Sequence, residues 1–164
     1  MDIVKGLHSD IDVSIKTAKG KKVDCGDVLR RRAEFEYDIV IGQWAQAGDN
    51  KVFHTEYTFH IKPEHETLLW GKMNYEKLRE FDKYIKSIPA GRKAQQETKI
   101  ERQVLKNFVE DSNALMSIHP KVDSKKQRRV QCSFNIDKLI ESGVEYEVKT
   151  IRLTVASKTR TFNK

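Results

Sequence analysis

Apolar and polar positions along this chain alternate with two periods, and the changes of period mark out its elements. Ile11, Val13 and Ile15 alternate with Asp12, Ser14 and Lys16, which predicts a strand with the apolar residues inward. Residues 17–21 predict a turn with Gly20 at positive φ, followed by a returning strand over 22–25. Phe35, Tyr37, Ile39 and Ile41 alternate with Glu34, Glu36, Asp38 and Val40 in a second strand. Residues 42–50 are expected to form a loop carrying Trp44. Beyond it Phe53, Thr55, Tyr57, Phe59 and Ile61 share one face of a long strand that stops before Pro63. These two strands are expected to form a hairpin.

A helical period then takes over. Asn74 is a candidate N-cap, and Tyr75, Leu78, Phe81 and Ile85 recur at helical spacing until Ile88-Pro89. A longer helix is expected over 95–118, with Ile100, Val104, Leu105, Phe108, Leu115 and Ile118 as its apolar stripe. From residue 129 the period returns to two: Val130, Cys132, Phe134 and Ile136 alternate with Arg129, Gln131, Ser133 and Asn135. A helical turn over 137–142 follows. Tyr146 and Val148 then point one way, and Ile151, Leu153 and Val155 resume out of register with them, which a bulge near Thr150 would explain.

This order predicts an α+β fold in one domain over residues 1–157. It has an antiparallel sheet of about five to six strands, two helices packed on one face, and a flexible basic tail over 158–164. The expected inward set is Ile39, Ile41, Phe53, Tyr57, Phe59, Leu78, Phe81, Ile85, Val104, Phe108, Leu115, Val130, Phe134, Leu153 and Val155.

Composition sharpens the picture in three ways. Charged residues make up 34% of the chain, yet the apolar positions are patterned, which argues against disorder. Cys25 and Cys132 are too few and too distant in sequence for a disulfide framework or a zinc cluster, so no metal and no cofactor are expected. No apolar run approaches the roughly 18 residues of a membrane span, and no signal peptide is visible at the start. A cytoplasmic, reducing setting without membrane contact is the expectation.

The net charge of +7 is uneven along the chain. Residues 121–164 hold 11 Lys+Arg against 5 Asp+Glu, while residues 1–65 hold 10 against 11. Clustered cations displace the counterions condensed on phosphates, so this end points to nucleic acid. The candidate contacts are Lys121, Lys125, Lys126, Arg128, Arg129, Lys149, Arg152 and Arg160. No helix-turn-helix, zinc-finger or aromatic-stacking signature is present, so binding is expected to be sequence-tolerant and to run through the phosphate backbone, with RNA favoured over DNA. An acidic protein partner is the competing use of the same charge. A compact, basic domain without metabolic motifs also fits the profile of viral and phage accessory proteins.

A second constellation suggests chemistry instead of binding. The other face of the long strand carries His54, Glu56, Thr58 and His60. If Ile41 lies opposite Phe53, then Asp38 lies opposite Glu56 and Glu34 opposite His60; a slip by two puts Asp38 opposite His54. Either register gathers imidazoles and carboxylates on one face, the material of a general acid–base site cleaving phosphodiesters. His54, Glu56, His60 and Asp38 are its candidate residues. His54-Thr55-Glu56 lacks the Pro-Cys-x-x-Cys partner that zinc deaminases require, and no phosphate loop, nucleophile elbow or dinucleotide fingerprint occurs.

Overall fold

The computed structural model describes residues 10–88, 113–122 and 128–156, the backbone of Asp2–Ile3, and the helical positions Lys99 and Gln103. In chain order the elements are β1 (Asp2–Ile3), β2 (Asp12–Ala18), β3 (Lys22–Asp27), α1 (Val28–Ala33), β4 (Tyr37–Ala47) and β5 (Asn50–Ile61). A 3₁₀ turn at Pro63–His65 leads into α2 (Glu66–Trp70) and α3 (Tyr75–Ser87). Then come β6 (Ser117–Lys121), β7 (Arg129–Asn135), α4 (Ile136–Glu141) and β8 (Tyr146–Ala156). The α+β class holds, but the described strands form two sheets where one was expected. One runs β1-β2-β4-β5-β8, the other β3-β7-β6.

The first departure from the expected hairpins is at β3. It leaves β2 and pairs antiparallel with β7, while β2 pairs parallel with β4. The positive φ near this point belongs to Gly26, at +83°, and not to Gly20. It lies at a register shift in β3, which then runs straight into α1. Asp27, the last residue of β3, caps α1 by accepting from the backbone N–H of Leu29 and Arg30 at 3.0 Å each. β7 enters α4 in the same way, with Asn135 accepting from Asp137 N–H at 2.9 Å. Asn74 caps α3 as expected, accepting from Glu76 N–H at 2.8 Å.

Parallel pairing also turns β2 over. Ser14 lies opposite Ile39 and is buried with Ala18, while Val13 and Ile15 are half-buried on the other face. The polar residue faces inward because it answers a buried charge: Arg31 donates to the Ser14 hydroxyl at 2.8 Å and pairs with Glu34 at 2.5 Å. The Arg31 guanidinium also lies 4.6 Å from the centre of the Tyr37 ring.

The hairpin of β4 and β5 is longer than expected. β4 continues through Trp44 to Ala47, and the turn is only Gly48-Asp49, with Gly48 at φ +57°. The register is therefore Ile39 opposite Phe59 and Ile41 opposite Tyr57, four residues from the expected pairing. A bulge at His54 lets Gln43 pair with Thr55 while Trp44 pairs with Phe53. That extra residue carries Phe53 to the outer face, where its ring covers Gly42; a Cβ there would meet the ring at 3.0 Å. Leu153 follows Phe53 across the ladder, with Val155 opposite Lys51, so these residues are exposed at 55% and 43% and not inward. A register irregularity does fall beside Thr150, between it and Leu153.

Ile39, Ile41, Phe59, Leu78, Phe81, Ile85, Val130 and Phe134 form the expected core, with Tyr57 and Leu115 at its margin. Phe59 joins the two sheets: its ring meets Phe134 edge-on at 6.4 Å and stacks on Tyr146 at 5.5 Å. α3 is held to β7 by buried Asp82, which accepts from Val130 N–H at 2.9 Å. Val104 and Phe108 lie outside the described residues, as does nearly all of the expected helix over 95–118. Its end is corrected. Residues from Ser117 to Lys121 form a strand, because Ile118 and Pro120 alternate with Ser117, His119 and Lys121 and complete a ladder with β7. β6 is the edge of its sheet, which is where a strand tolerates proline. Among the described residues no helix is long and apolar enough to cross a membrane.

Candidate nucleic-acid interface

The pairing of β3, β7 and β6 fixes what lies on the outer face of the smaller sheet. Alternation sets Arg129, Gln131, Ser133 and Asn135 of β7 on the face opposite buried Val130, Cys132 and Phe134, and Ser133 is itself covered. Across the ladders Lys121 lies opposite Arg129, His119 opposite Gln131, Ser117 opposite Ser133, and Lys22 opposite Asn135. Cations and small hydrogen-bonding groups thus share one surface. Its carboxylates are Asp24, opposite Ser133, and Asp27, which is engaged in capping α1. The Nε atoms of Arg128 and Arg129 are shut from water without a hydrogen-bond partner among the described residues. His119 Nε2 and the Ser133 hydroxyl are joined by a hydrogen bond of 2.8 Å.

Two other basic candidates, Lys149 and Arg152, do not join this surface. They lie on β8, the far edge of the larger sheet. Lys149 is 3.3 Å from Glu147 and lies opposite Glu56, so carboxylates offset its charge. Lys125, Lys126 and Arg160 lie outside the described residues. Lys22 and Lys138, which the charge count did not single out as contacts, border the outer face of the smaller sheet instead. Lys121, an expected contact, lies on this face, and alternation over residues 117–121 carried a signal for His119 that was read as the end of a helix.

The histidine–carboxylate face is not brought together. Asp38 lies opposite His60, and neither expected register is formed. His60 Nδ1 and Asp38 Oδ1 are 2.8 Å apart, half-buried, in a cross-strand pair. Glu56 lies opposite Gly42, four residue pairs further along the ladder. His54 sits at the bulge with its ring bonded to its neighbour Thr55 at 2.9 Å. Six residues separate it from His60, roughly 20 Å along a strand. Nearby, Lys62 and Glu145 pair at 2.8 Å at the surface, which raises the amine and lowers the carboxyl. Among the described residues no three His, Cys, Asp or Glu groups are placed to hold a metal ion.

Cys25 and Cys132, distant in sequence, become neighbours through β3 and β7, with Cys132 opposite Gly26. Both are buried free thiols, and the hydrogen bond between them together with burial pushes Cys132 up. Set against protein-family models, curated proteins and solved structures, the chain finds no match in any of the three.

Proposed function

We propose that this chain binds nucleic acid without sequence preference through the outer face of the β3-β7-β6 sheet. The observation that carries the reading is the row Arg129, Gln131, Ser133 and Asn135 on β7, flanked by Lys121 and Lys22 on the neighbouring strands. Lysine and arginine supply counterion release, and short amide and hydroxyl side chains hydrogen-bond phosphate and sugar oxygens without reading bases. RNA is the favoured target, because a backbone-reading surface of this kind also meets the 2′-hydroxyl.

Four to five engaged cations predict that log K falls with log salt at a slope of about −3 to −4. A filter-binding titration of labelled RNA and DNA at low and moderate salt measures it. Absence of retention of either polymer at low salt would remove the reading. Binding that heparin abolishes and generic oligonucleotides fail to compete would replace it with an acidic protein partner. The arrangement of His54, Glu56 and His60 supports no cleavage step, so intact oligonucleotide is expected after incubation.

A further inference from the structure

At one end of the proposed binding face lies a cavity of about 320 Å³, at the low end of the range for small-ligand sites. Its position follows from the strand pairing. Lys22 lies opposite Asn135 at the end of the β3–β7 ladder, and the turn into α4 brings Lys138 to the same opening. The backbone N–H of Ile136 donates to Lys21 O at 2.8 Å, and Lys21 Nζ pairs with Asp137 at 2.8 Å, so this corner is fastened on two sides. The base of the cavity is buried Ser133 with its hydrogen-bonded partner His119. One wall is apolar, built from Leu115 and Met116, and it is fixed by their backbone N–H groups donating to Leu68 O and Leu69 O at 3.2 and 3.0 Å. No carboxylate is present among the described lining residues.

We propose that this cavity seats one nucleotide of the bound strand. The phosphate lies between Lys22 and Lys138, the sugar hydroxyls meet Ser117, Ser133 and Asn135, and the base lies on the Leu115–Met116 wall. The Asn135 carbonyl already accepts from Asp137 N–H, and its amide nitrogen is the donor it turns to the ligand. Two ammonium groups at the rim, with no carboxylate among the described lining residues, select an anion, and the apolar wall favours a nucleotide over bare phosphate. The cavity is continuous with the basic row. Asn135 to Arg129 spans the seven residues of β7, roughly 20 Å, over which the rest of the nucleic-acid strand extends along Gln131 toward Lys121.

This proposal rests on the nucleic-acid reading above, and its test separates the two. Uridine and adenosine monophosphate are titrated into the full chain while the His119 ring and Ser133 amide resonances are followed, with inorganic phosphate and uridine as controls. Both nucleotides are expected to shift these signals and leave His60 unmoved, with phosphate or uridine alone at least about tenfold weaker. Replacing the exposed pair as Lys22→Ala with Lys138→Ala should weaken nucleotide binding about tenfold or more, whereas Lys149→Ala with Arg152→Ala should not. If oligonucleotide is retained on filters but neither nucleotide moves His119 or Ser133, the cavity assignment is overturned and the surface reading stands. Nucleotide binding without oligonucleotide retention would leave the cavity a site for a free nucleotide and overturn both the surface reading and the seating of a bound strand. Loss of both overturns both.

Discussion

On the outer face of the five-stranded sheet, charges meet their opposites. Lys149 has Glu147 beside it and Glu56 across the ladder, His60 has Asp38, and Lys62 has Glu145. The outer face of the three-stranded sheet is assembled differently. Lys121 lies opposite Arg129, and between them and Lys22 lie glutamine, serines, asparagine and histidine, with Asp24 opposite Ser133 and Asp27 drawn into capping α1. Both faces carry cations; on the second two of them face each other across the β6–β7 ladder, and a cavity lined by Lys22 and Lys138 lies at its end. The contrast shows that strand pairing decides whether a basic residue faces a carboxylate, as Lys149 faces Glu56, or another cation, as Arg129 faces Lys121. It also shows why the charge-rich end of this chain is divided: β7 and β8 follow one another around α4 yet belong to different sheets.

The two faces lie on one shared interior, so the largest effect is expected there. Phe59→Ala should cost about 3–5 kcal/mol in urea unfolding, since Phe59 is fully buried where the sheets meet. Phe53→Ala, on the outer face across the His54 bulge, should cost clearly less. Equal losses would mean that the bulge does not turn Phe53 outward. Next in size is the salt slope. Replacing Arg128 and Arg129 by Gln should flatten it by about two units on duplex and about 1.4 on single strands, while the Lys149→Gln and Arg152→Gln pair leaves it nearly unchanged. A similar flattening by both pairs would erase the distinction between the faces.

A smaller effect is expected at the histidine pair. His60→Ala should lower stability by about 0.2–1 kcal/mol, as a cross-strand contact does, and leave oligonucleotide retention intact. Loss of retention would move the binding face to the larger sheet. The smallest effect at neutral pH is Tyr37→Phe. Its hydroxyl is buried without a hydrogen-bond partner among the described residues, so removing it should change neutral-pH stability little or raise it slightly. Burial pushes this hydroxyl above the ordinary tyrosine range, against the pull of Arg31. The unfolded chain therefore releases the proton first, and stability falls as pH rises above about 10. The Phe variant should lose part of that alkaline decline, measured by urea midpoints across pH 9–11 (about the window set by the unfolded tyrosine).

Alternation and helical spacing by themselves determined that Tyr37–Ile41, Phe59–Ile61 and Val130–Phe134 are strands, that Asn74 starts a helix, and that their inward apolar residues are buried, though not that Asp82 and Ser133 are. They also placed Arg129, Gln131, Ser133 and Asn135 on one outward face. These features depend on neighbours a few residues apart, which the chain itself supplies. Only the tertiary structure decided the rest. One bulged residue at His54 reversed Phe53, and a parallel pairing turned Ser14 toward Arg31. The register brought Asp38 to His60 and away from Glu56. The meeting of β6 with β7 placed His119 on Ser133 beside lysines from opposite ends of the chain. A period of two says which residues share a face of their own strand, but not which strand comes alongside. Partner choice is settled by burying Phe59 against Phe134 and by satisfying Arg31 and Asp82, interactions between residues far apart in sequence.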